Sequence, residues 1–203
     1  MEYVIHLRGT SGKKIYVDPE GGEGFYLYPG EIKKEKLTEG DSVREEDLER
    51  IRREYAVPRA KKRALGLLVK KDRTEKEIRD KLKDSVNDQQ SVEEAVKYVR
   101  SFGYVDDLNY ARDYLYYKKS KKSYPLIRQE LKQKGISSEI LDLIFEEAGP
   151  QKEEDLLPQI RKYIRKFDEM DATAKKKTCA HFCRKGYSSG LIKNILENPD
   201  FFE

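Results

Sequence analysis

Tryptophan is absent from this chain, and cysteine and histidine occur only twice each. Two cysteines are too few for a disulfide framework and fit a reducing compartment. Cys179 and Cys183 lie four residues apart in a predicted helix, with His181 on the opposite side, so we expect buried helix-face cysteines rather than a zinc site. The other histidine, His6, has no local partner suited to nucleophilic catalysis. We therefore expect no metal, no cofactor and no enzymatic activity.

Long hydrophobic runs are also missing. No apolar stretch approaches the roughly 18 to 20 residues that a membrane-spanning helix needs. The first residues lack the pattern of a signal peptide. We therefore expect a soluble, cytoplasmic protein without a membrane partner.

Charged residues outnumber hydrophobic ones, at 39% against 37% of 203 residues. This balance favours small helical units with narrow cores over one thick sheet-based core. Forty-two Lys and Arg against 38 Asp and Glu leave a net charge of only +4. Any basic surface must therefore come from local clustering.

The first 57 residues differ in pattern from the rest. Apolar and polar residues alternate with period two in three segments, at residues 3–8, 14–17 and 25–28. The glycine-containing turn at residues 9–12 predicts that the first two segments form a β-hairpin. Ser42 and Glu45 form a capping box that should open a helix ending near Pro58. Residues 1–57 thus predict a small sheet and one helix.

Residues 58–105 predict the first of three helical units. Thr74 and Glu77 form a capping box at a helix start, and Ser91 with Glu94 forms another. Gly103 should end the last helix in the left-handed conformation. Leu68, Ile78, Leu82, Gly103 and Tyr104 are expected to hold this unit together.

Residues 106–149 and 150–203 predict two further units of three helices. Apolar, glycine and serine positions of the second unit recur in the third at a constant offset of 51 residues, as Leu131 and Phe182 illustrate. The first helices should run over about 107–120 and 153–167, although Pro158 fits the latter poorly unless the regular helix starts beside it. We expect a mainly α fold, in which three tandem three-helix repeats form an elongated, curved array behind a β-containing N-terminal extension.

Two motifs resemble catalytic or ligand sites but have simpler structural explanations. The segment GTSGKK at residues 9–14 is too short for a phosphate-binding loop and is read as a hairpin turn. Asp106 and Asp107 could serve as an acid and base pair, but capping of the next helix explains them better.

Basic clusters recur at comparable places in the repeats. They occupy residues 61–63, 70–73, 118–122, 132–134 and 175–177. Cations near helix C-termini stabilise the helix dipole, so a purely structural role explains these clusters. The alternative is contact with phosphates or an acidic protein surface. The nearby tyrosines at positions 110, 114, 116 and 117 could stack on exposed bases. The favoured alternative is that two of them are core, with their hydroxyls reaching the surface.

Three motifs in order resemble the RecX family of bacterial RecA regulators. They read LLVKKDRTEKEIRDKL at residues 67–82, FGYVDD at 102–107 followed by YAR at 110–112, and LKQKGI at 131–136. The resemblance covers about residues 58–197 and is weaker in the third repeat. Residues 1–57 resemble only the extension of some members.

This resemblance implies a non-enzymatic modulator of RecA that acts in recombination and DNA repair. Such a protein lodges in the groove of the RecA–DNA filament and usually inhibits ATPase activity, strand exchange and filament assembly. We expect a monomer with weak binding to single- and double-stranded DNA. The expected contacts with phosphates or acidic filament surface are Lys70, Lys71, Arg73, Lys118, Lys119, Lys121 and Lys122. The alternative is a stand-alone helical DNA-binding module.

Overall fold

The computed structural model of the protein describes residues 1–10, 12–86 and 88–198. The chain divides into two compact units, Met1–Asp106 and Asp107–Glu203. Two parts of the sequence predictions lie outside the described residues: Ser11 of the hairpin turn, and residues 199–203 of the third repeat.

The first unit begins with an antiparallel sheet of four strands. They are β1 (Glu2–Gly9), β2 (Ile15–Pro19), β3 (Phe25–Leu27) and β4 (Ser42–Arg44), in the spatial order β3-β2-β1-β4. Ile5, Val17, Phe25 and Leu27 alternate with more exposed neighbours and are fully buried. The predicted hairpin and third strand are confirmed. The hairpin is closed by Thr10, whose backbone N–H and hydroxyl both donate to the Lys14 carbonyl.

The capping box predicted at Ser42 is wrong, because this residue belongs to β4. Ser42 pairs with Val4 in the sheet, and its hydroxyl donates to Glu2 Oε2 at 2.8 Å. The helix begins instead at Glu45, after an Arg44 that makes no side-chain cap. A short helix, α1 (Pro29–Lys34), was not predicted either.

The helix that follows β4 does not end near Pro58. Helix α2 (Glu45–Ile51) continues through a π-helical turn at Arg52–Ala56 into α3 (Val57–Leu68). Proline lacks an N–H, and its ring clashes with the carbonyl four residues earlier in a regular α-helix. The wider π-helical turn, in which Val57 N–H donates to the Arg52 carbonyl, lets the chain stay helical through this position.

The first three-helix repeat consists of α3, α4 (Glu75–Val86) and α5 (Gln89–Ser101). Ile78 and Leu82 are fully buried, whereas Leu68 is only partly so. The cap at Thr74 is confirmed, since its hydroxyl accepts from the Glu77 N–H at 3.2 Å. The second capping box is wrong by three residues. Asp88 is the N-cap, and Ser91 lies inside the helix and donates to the Asp88 carboxylate.

Gly103 ends α5 as predicted. Its φ is +69°, and the N–H of Tyr104 donates to the Val99 carbonyl at 2.9 Å. The Tyr104 side chain does not hold the fold, contrary to expectation, because it is 56% exposed and stacks on the equally exposed Phe102. Its contribution to the helix end comes from the backbone.

A buried arginine joins the sheet to the first repeat. Arg52 lies in the π-helical turn, and its Nη2 donates to the Glu23 carbonyl at 2.5 Å. Nη1 donates to Gln90 Oε1 at 2.6 Å and to the Glu49 carboxylate. The Arg52 Nε lies 3.4 Å from Asp88 Oδ1, and burial raises the pKa of this carboxyl despite the nearby positive charge. The Arg52 guanidinium therefore donates hydrogen bonds to Glu23 before β3, to Glu49 in α2 and to Gln90 in α5.

Replacing Arg52 with alanine should lower the free energy of unfolding by about 3 kcal/mol, because the buried Asp88 carboxyl loses its cation and the Glu23 carbonyl loses its donor. Urea denaturation followed by circular dichroism measures this loss. The adjacent exposed Arg53 provides a matched control, and its replacement with alanine should cost within about 0.5 kcal/mol. Adding Asp88→Asn to the Arg52 variant should restore part of the stability. If both arginine variants lose the same free energy of unfolding, the buried hydrogen bonds of Arg52 do not stabilise the fold.

The second unit contains two further three-helix repeats. Their helices are α6 (Asp107–Lys118), α7 (Tyr124–Gln133), α8 (Ser138–Ala148), α9 (Glu153–Ile164), α10 (Ala172–Arg184) and α11 (Ser189–Glu197). Helix α9 starts at Glu153 as predicted and holds Pro158 in its interior. Three acidic residues in its first turn favour this start over one beside the proline. The mainly α fold with three-helix repeats and a small N-terminal sheet is confirmed.

The predicted equivalence of the last two repeats is visible at their helix ends. Gly135 and Gly186 have φ of +90° and +87°. The N–H that follows each glycine donates to the carbonyl five residues back, on Leu131 and Phe182. Ser188 then caps α11 by accepting from the Leu191 N–H, as Ser137 does for α8.

The expectation of two buried cysteines is wrong. Cys183 is exposed and Cys179 is partly buried, and their Sγ atoms lie 3.9 Å apart. Ala174, Thr178 and Phe182 form the buried stripe of α10, so the cysteines fall one residue to its side.

Candidate functional site

No cluster of metal-ligating side chains occurs in the part of the chain that the structure describes. Among residues 1–10, 12–86 and 88–198, no three His, Cys, Asp or Glu side chains come together as metal ligands. None of the described helices is long and apolar enough to cross a membrane. The segments at residues 70–73 and 118–122 hold the contact residues predicted from the sequence, and they are called the basic segments below.

The segment of residues 118–122, here called the basic loop, connects α6 to α7. It carries Lys118, Lys119, Lys121 and Lys122. The N–H groups of Lys121 and Lys122 both donate to the Lys118 carbonyl, at 2.8 and 2.9 Å, so the backbone turns tightly. The structure thus brings four of the seven predicted contact residues into one turn.

Gln151, in the connection between the second and third repeats, holds the basic loop in place. Its Nε2 donates to the carbonyls of Lys119 and Lys122 at 2.9 and 3.0 Å. Its Oε1 accepts from the Tyr124 N–H at 3.1 Å. One amide side chain therefore satisfies three backbone groups of the loop and of the following helix.

The third repeat supports the same loop from two more positions. Gln159 of α9 donates to the Ser120 carbonyl at 3.1 Å and to the Tyr187 hydroxyl at 2.7 Å. The buried Ser123 hydroxyl donates to the Lys185 carbonyl at 2.6 Å. A Cβ on Gly186 would lie only 2.8 Å from the Ser123 Oγ, so the glycine also permits this close approach. Hydrogen bonds with Gln151 and with the third repeat therefore hold the basic loop in place.

Two lysines of the loop are paired with carboxylates. Lys119 Nζ lies 3.3 Å from Asp155 Oδ1, and Lys122 bonds the Glu130 carboxylate. Burial alone would raise the pKa of Glu130, but hydrogen bonds from Lys122 and Tyr114 keep it below its usual range. Burial, with the Glu130 carboxylate, raises the pKa of Tyr114 to about 12. These pairs fix the two lysines and reduce the positive charge that they present.

The other two lysines remain available for a partner. Lys118 Nζ lies 5.7 Å from the centre of the Tyr114 ring. Lys121 is exposed, and in the described chain its ammonium has no carboxylate partner. The nearby Tyr116 and Tyr117 are each 69% exposed, while Tyr114 is partly buried against the repeat's core. The prediction that two of the four tyrosines are core holds in part, since Tyr110 and Tyr114 pack against the core but are only partly buried.

The remaining predicted contacts follow α3 in the first unit. Lys70 and Lys71 are exposed and have no ion-pair partner in the described chain. Arg73 is partly buried, and its Nε lies 3.4 Å from the Leu67 carbonyl at the end of α3. Val69, beside them, is 88% exposed. Arg73 therefore supports the helix end, and the two lysines form the accessible charge.

Sequence reasoning missed the residues that hold the basic loop. Gln151, Gln159 and Ser123 belong to no motif, and glutamine in a charged sequence gives no signal of its own. Their roles depend on partners 27 to 62 residues away in the chain. Only the packed repeats reveal them.

Two family models match the helical repeats. Residues 60–98 match the first three-helix domain of RecX, and residues 106–142 match the second. The chain belongs to the RecX family. It is 27% identical over 203 residues to the regulatory protein RecX of Clostridium botulinum strain Eklund 17B, covering 98% of this chain and 95% of that one. The RecX of Listeria innocua is 30% identical over 165 residues, which cover 78% of this chain and 60% of the relative.

Solved RecX structures have the same fold. A crystal structure of regulatory protein RecX aligns with a TM-score of 0.65 at 23% identity, covering 98% of this chain and all of the other. The RecX of Lactobacillus salivarius aligns with a TM-score of 0.60 at 20% identity, covering 70% and 95%. The curated RecX relatives are named as regulatory proteins, which agrees with a regulatory rather than an enzymatic role for this chain.

Replacing Gln151 with leucine should lower the free energy of unfolding by about 1 to 3 kcal/mol, because three backbone groups lose their hydrogen-bond partner. Amide hydrogen exchange at Tyr124 should accelerate in the same variant, since its N–H no longer donates to the side chain. Gln129→Leu on the exposed face of α7 is the matched control and should change neither quantity. Unchanged exchange at Tyr124 would contradict the role given to Gln151.

Proposed function

We propose that this protein regulates the RecA recombinase by binding the groove of the RecA–DNA filament, and that it inhibits ATPase activity, strand exchange and filament assembly. The observation that carries the proposal is a basic loop held in one conformation within a chain of the RecX family. A loop ordered before binding loses little conformational entropy on contact with its partner.

The charge of the loop suits a filament better than bare DNA. Asp155 and Glu130 neutralise Lys119 and Lys122, which leaves Lys118 and Lys121 for phosphates or acidic side chains. Proteins that bind DNA on their own gain most of their affinity by neutralising many phosphates. Two accessible lysines provide only a weak contribution of this kind, so protein surface must supply the remaining affinity.

Exposed apolar and aromatic side chains lie beside the two basic segments. Val69 follows α3 next to Lys70, and Tyr116 and Tyr117 precede Lys118. Exposed aromatic side chains beside cations are typical of protein interfaces, where they form anchors within a polar rim. This composition supports a mixed surface of protein and nucleic acid as the partner.

Replacing Lys118 and Lys121 together with glutamine should weaken inhibition of the recombinase. The wild-type protein should suppress single-strand-dependent ATP hydrolysis by RecA at less than one molecule per recombinase. The double variant should need about five to ten times more protein for the same effect, because it loses two charge contacts but no fold-supporting bond.

The control variant carries the same charge change elsewhere. Lys33 and Lys97 are exposed and belong to neither basic segment, so replacing both with glutamine should leave inhibition within twofold. Equal losses in the two double variants would make net charge the cause. Unchanged hydrolysis with the wild-type protein, beside tight binding to DNA alone, would favour the stand-alone DNA-binding module.

A further inference from the structure

A pocket of about 320 Å³ lies in the first unit, where the sheet meets α3 and α4. Cationic and aromatic side chains form much of its wall: Lys14 and Tyr26 from the sheet, Tyr28 after β3, and Arg59 and Arg63 from α3. The described lining residues include three cations and no carboxylate, and Glu31, outside the lining, pairs with one of the three, Arg59. Arg63 belongs to the basic cluster at residues 61–63, and none of the lining residues belongs to the segments 70–73 and 118–122 of the proposed filament contact.

The pocket is built on rigid elements. Arg59 and Arg63 lie one helical turn apart and face the same side of α3. Ala56 and Ala60 share this side, and their short side chains leave room between helix and sheet. One face of α3 and the adjacent edge of the sheet therefore set the charge of the pocket, and residues of α4 complete its wall.

Arg59 is fixed at the wall and has an unused donor. Its Nε donates to the Tyr55 carbonyl at 2.8 Å. Its Nη2 donates to the Tyr26 carbonyl at 3.2 Å and to Glu31 Oε2 at 3.1 Å, so the free donor of this arginine is Nη1. Its guanidinium also lies 5.1 Å from the centre of the Tyr28 ring. The buried Nη1 has no acceptor among the described residues. Buried donors are nearly always satisfied, so an arginine in this state suits an anionic ligand.

The two tyrosines add a preference for a planar ligand. Lys14 Nζ lies 5.5 Å from the centre of the Tyr26 ring, so a positive charge accompanies each ring. Aromatic rings stack on nucleobases of any sequence, and lysine and arginine bind phosphate. A volume near 320 Å³ is at the lower end of ligand pockets and fits a single nucleotide rather than a run of them.

We propose that this pocket binds one nucleotide, with its base against Tyr26 or Tyr28 and its phosphate near Lys14, Arg59 and Arg63. The nucleotide is either free or part of a single DNA strand, and the chemistry of recognition is the same. The inference goes beyond the proposed function, because it concerns the N-terminal sheet and requires no recombinase. An acidic protein segment fits less well, since it offers no planar group for the two rings.

Photochemical crosslinking tests the site directly. The full-length protein is irradiated with a twelve-residue single strand that contains 5-iodo-deoxyuridine, and the crosslinked peptide is identified by mass spectrometry. We expect the crosslink at Tyr26 or Tyr28. Fluorescence anisotropy with the same strand at low salt then gives affinities for variants.

Two matched pairs of variants separate the pocket from general charge and aromaticity. Arg63→Gln and Tyr28→Leu should each weaken strand binding about 5- to 20-fold. Lys62→Gln removes the neighbouring exposed charge outside the pocket, and Tyr117→Leu removes an exposed ring of the second unit. Both controls should stay within twofold. All four positions are exposed enough for the variants to fold.

Competition identifies the source of the nucleotide. If deoxythymidine monophosphate displaces the labelled strand at a concentration comparable to that of the strand's nucleotides, the pocket binds a free nucleotide. If it does not displace the strand, the pocket binds a nucleotide that is part of the strand. The proposal is overturned if the crosslink maps outside residues 14–63, or if Arg63→Gln and Lys62→Gln weaken binding equally. Displacement of the strand by an acidic tyrosine-containing peptide, but not by excess unlabelled strand, would assign the pocket to a protein segment and overturn it as well.

Discussion

The repeats depend on glycines that end a helix in the left-handed conformation. At Gly103, Gly135 and Gly186 the chain leaves a helix with φ between +69° and +90°, which costs little only for glycine. The next N–H returns to the carbonyl five residues back, so the helix end is closed and the direction of the following segment is set. In the last two repeats the residue after the glycine, Ile136 or Tyr187, is then buried in the core. Short helices with narrow apolar stripes can form compact repeats because these turns are fixed.

Local patterns were sufficient to predict most of these elements. The strands, the cap at Thr74, the glycine helix ends and the offset between Leu131 and Phe182 each follow from residues close together in the chain. Two of the errors concern serines with capping chemistry. Ser42 joined a sheet ladder with β1, so tertiary pairing overrode a local preference that is worth only about 1 kcal/mol. Ser91 lost the cap to Asp88, a competing capping residue only three positions earlier.

The residues that organise the molecule over long distances could not be predicted in this way. Arg52 bonds groups from Glu23 to Gln90, and Gln151 bonds the loop that begins some 30 residues earlier. Neither residue stands in a recognisable motif, because a hydrogen bond between distant segments leaves no periodic trace in the sequence. The basic segments were visible, but their pairing was not. The ion pairs of Lys119 and Lys122 reduce a cluster of four charges to two accessible ones, and this argues for a composite partner rather than bare DNA.

A comparison of the protein's affinity for the RecA–DNA filament with its affinity for bare single-stranded DNA tests this account most directly. The measurement titrates labelled single-stranded DNA, either free or coated with RecA and a slowly hydrolysed nucleotide, with the protein at physiological salt. The account predicts binding to the coated strand at least tenfold tighter than to the bare strand. Equal or tighter binding to the bare strand, with a steep dependence on salt, would contradict it.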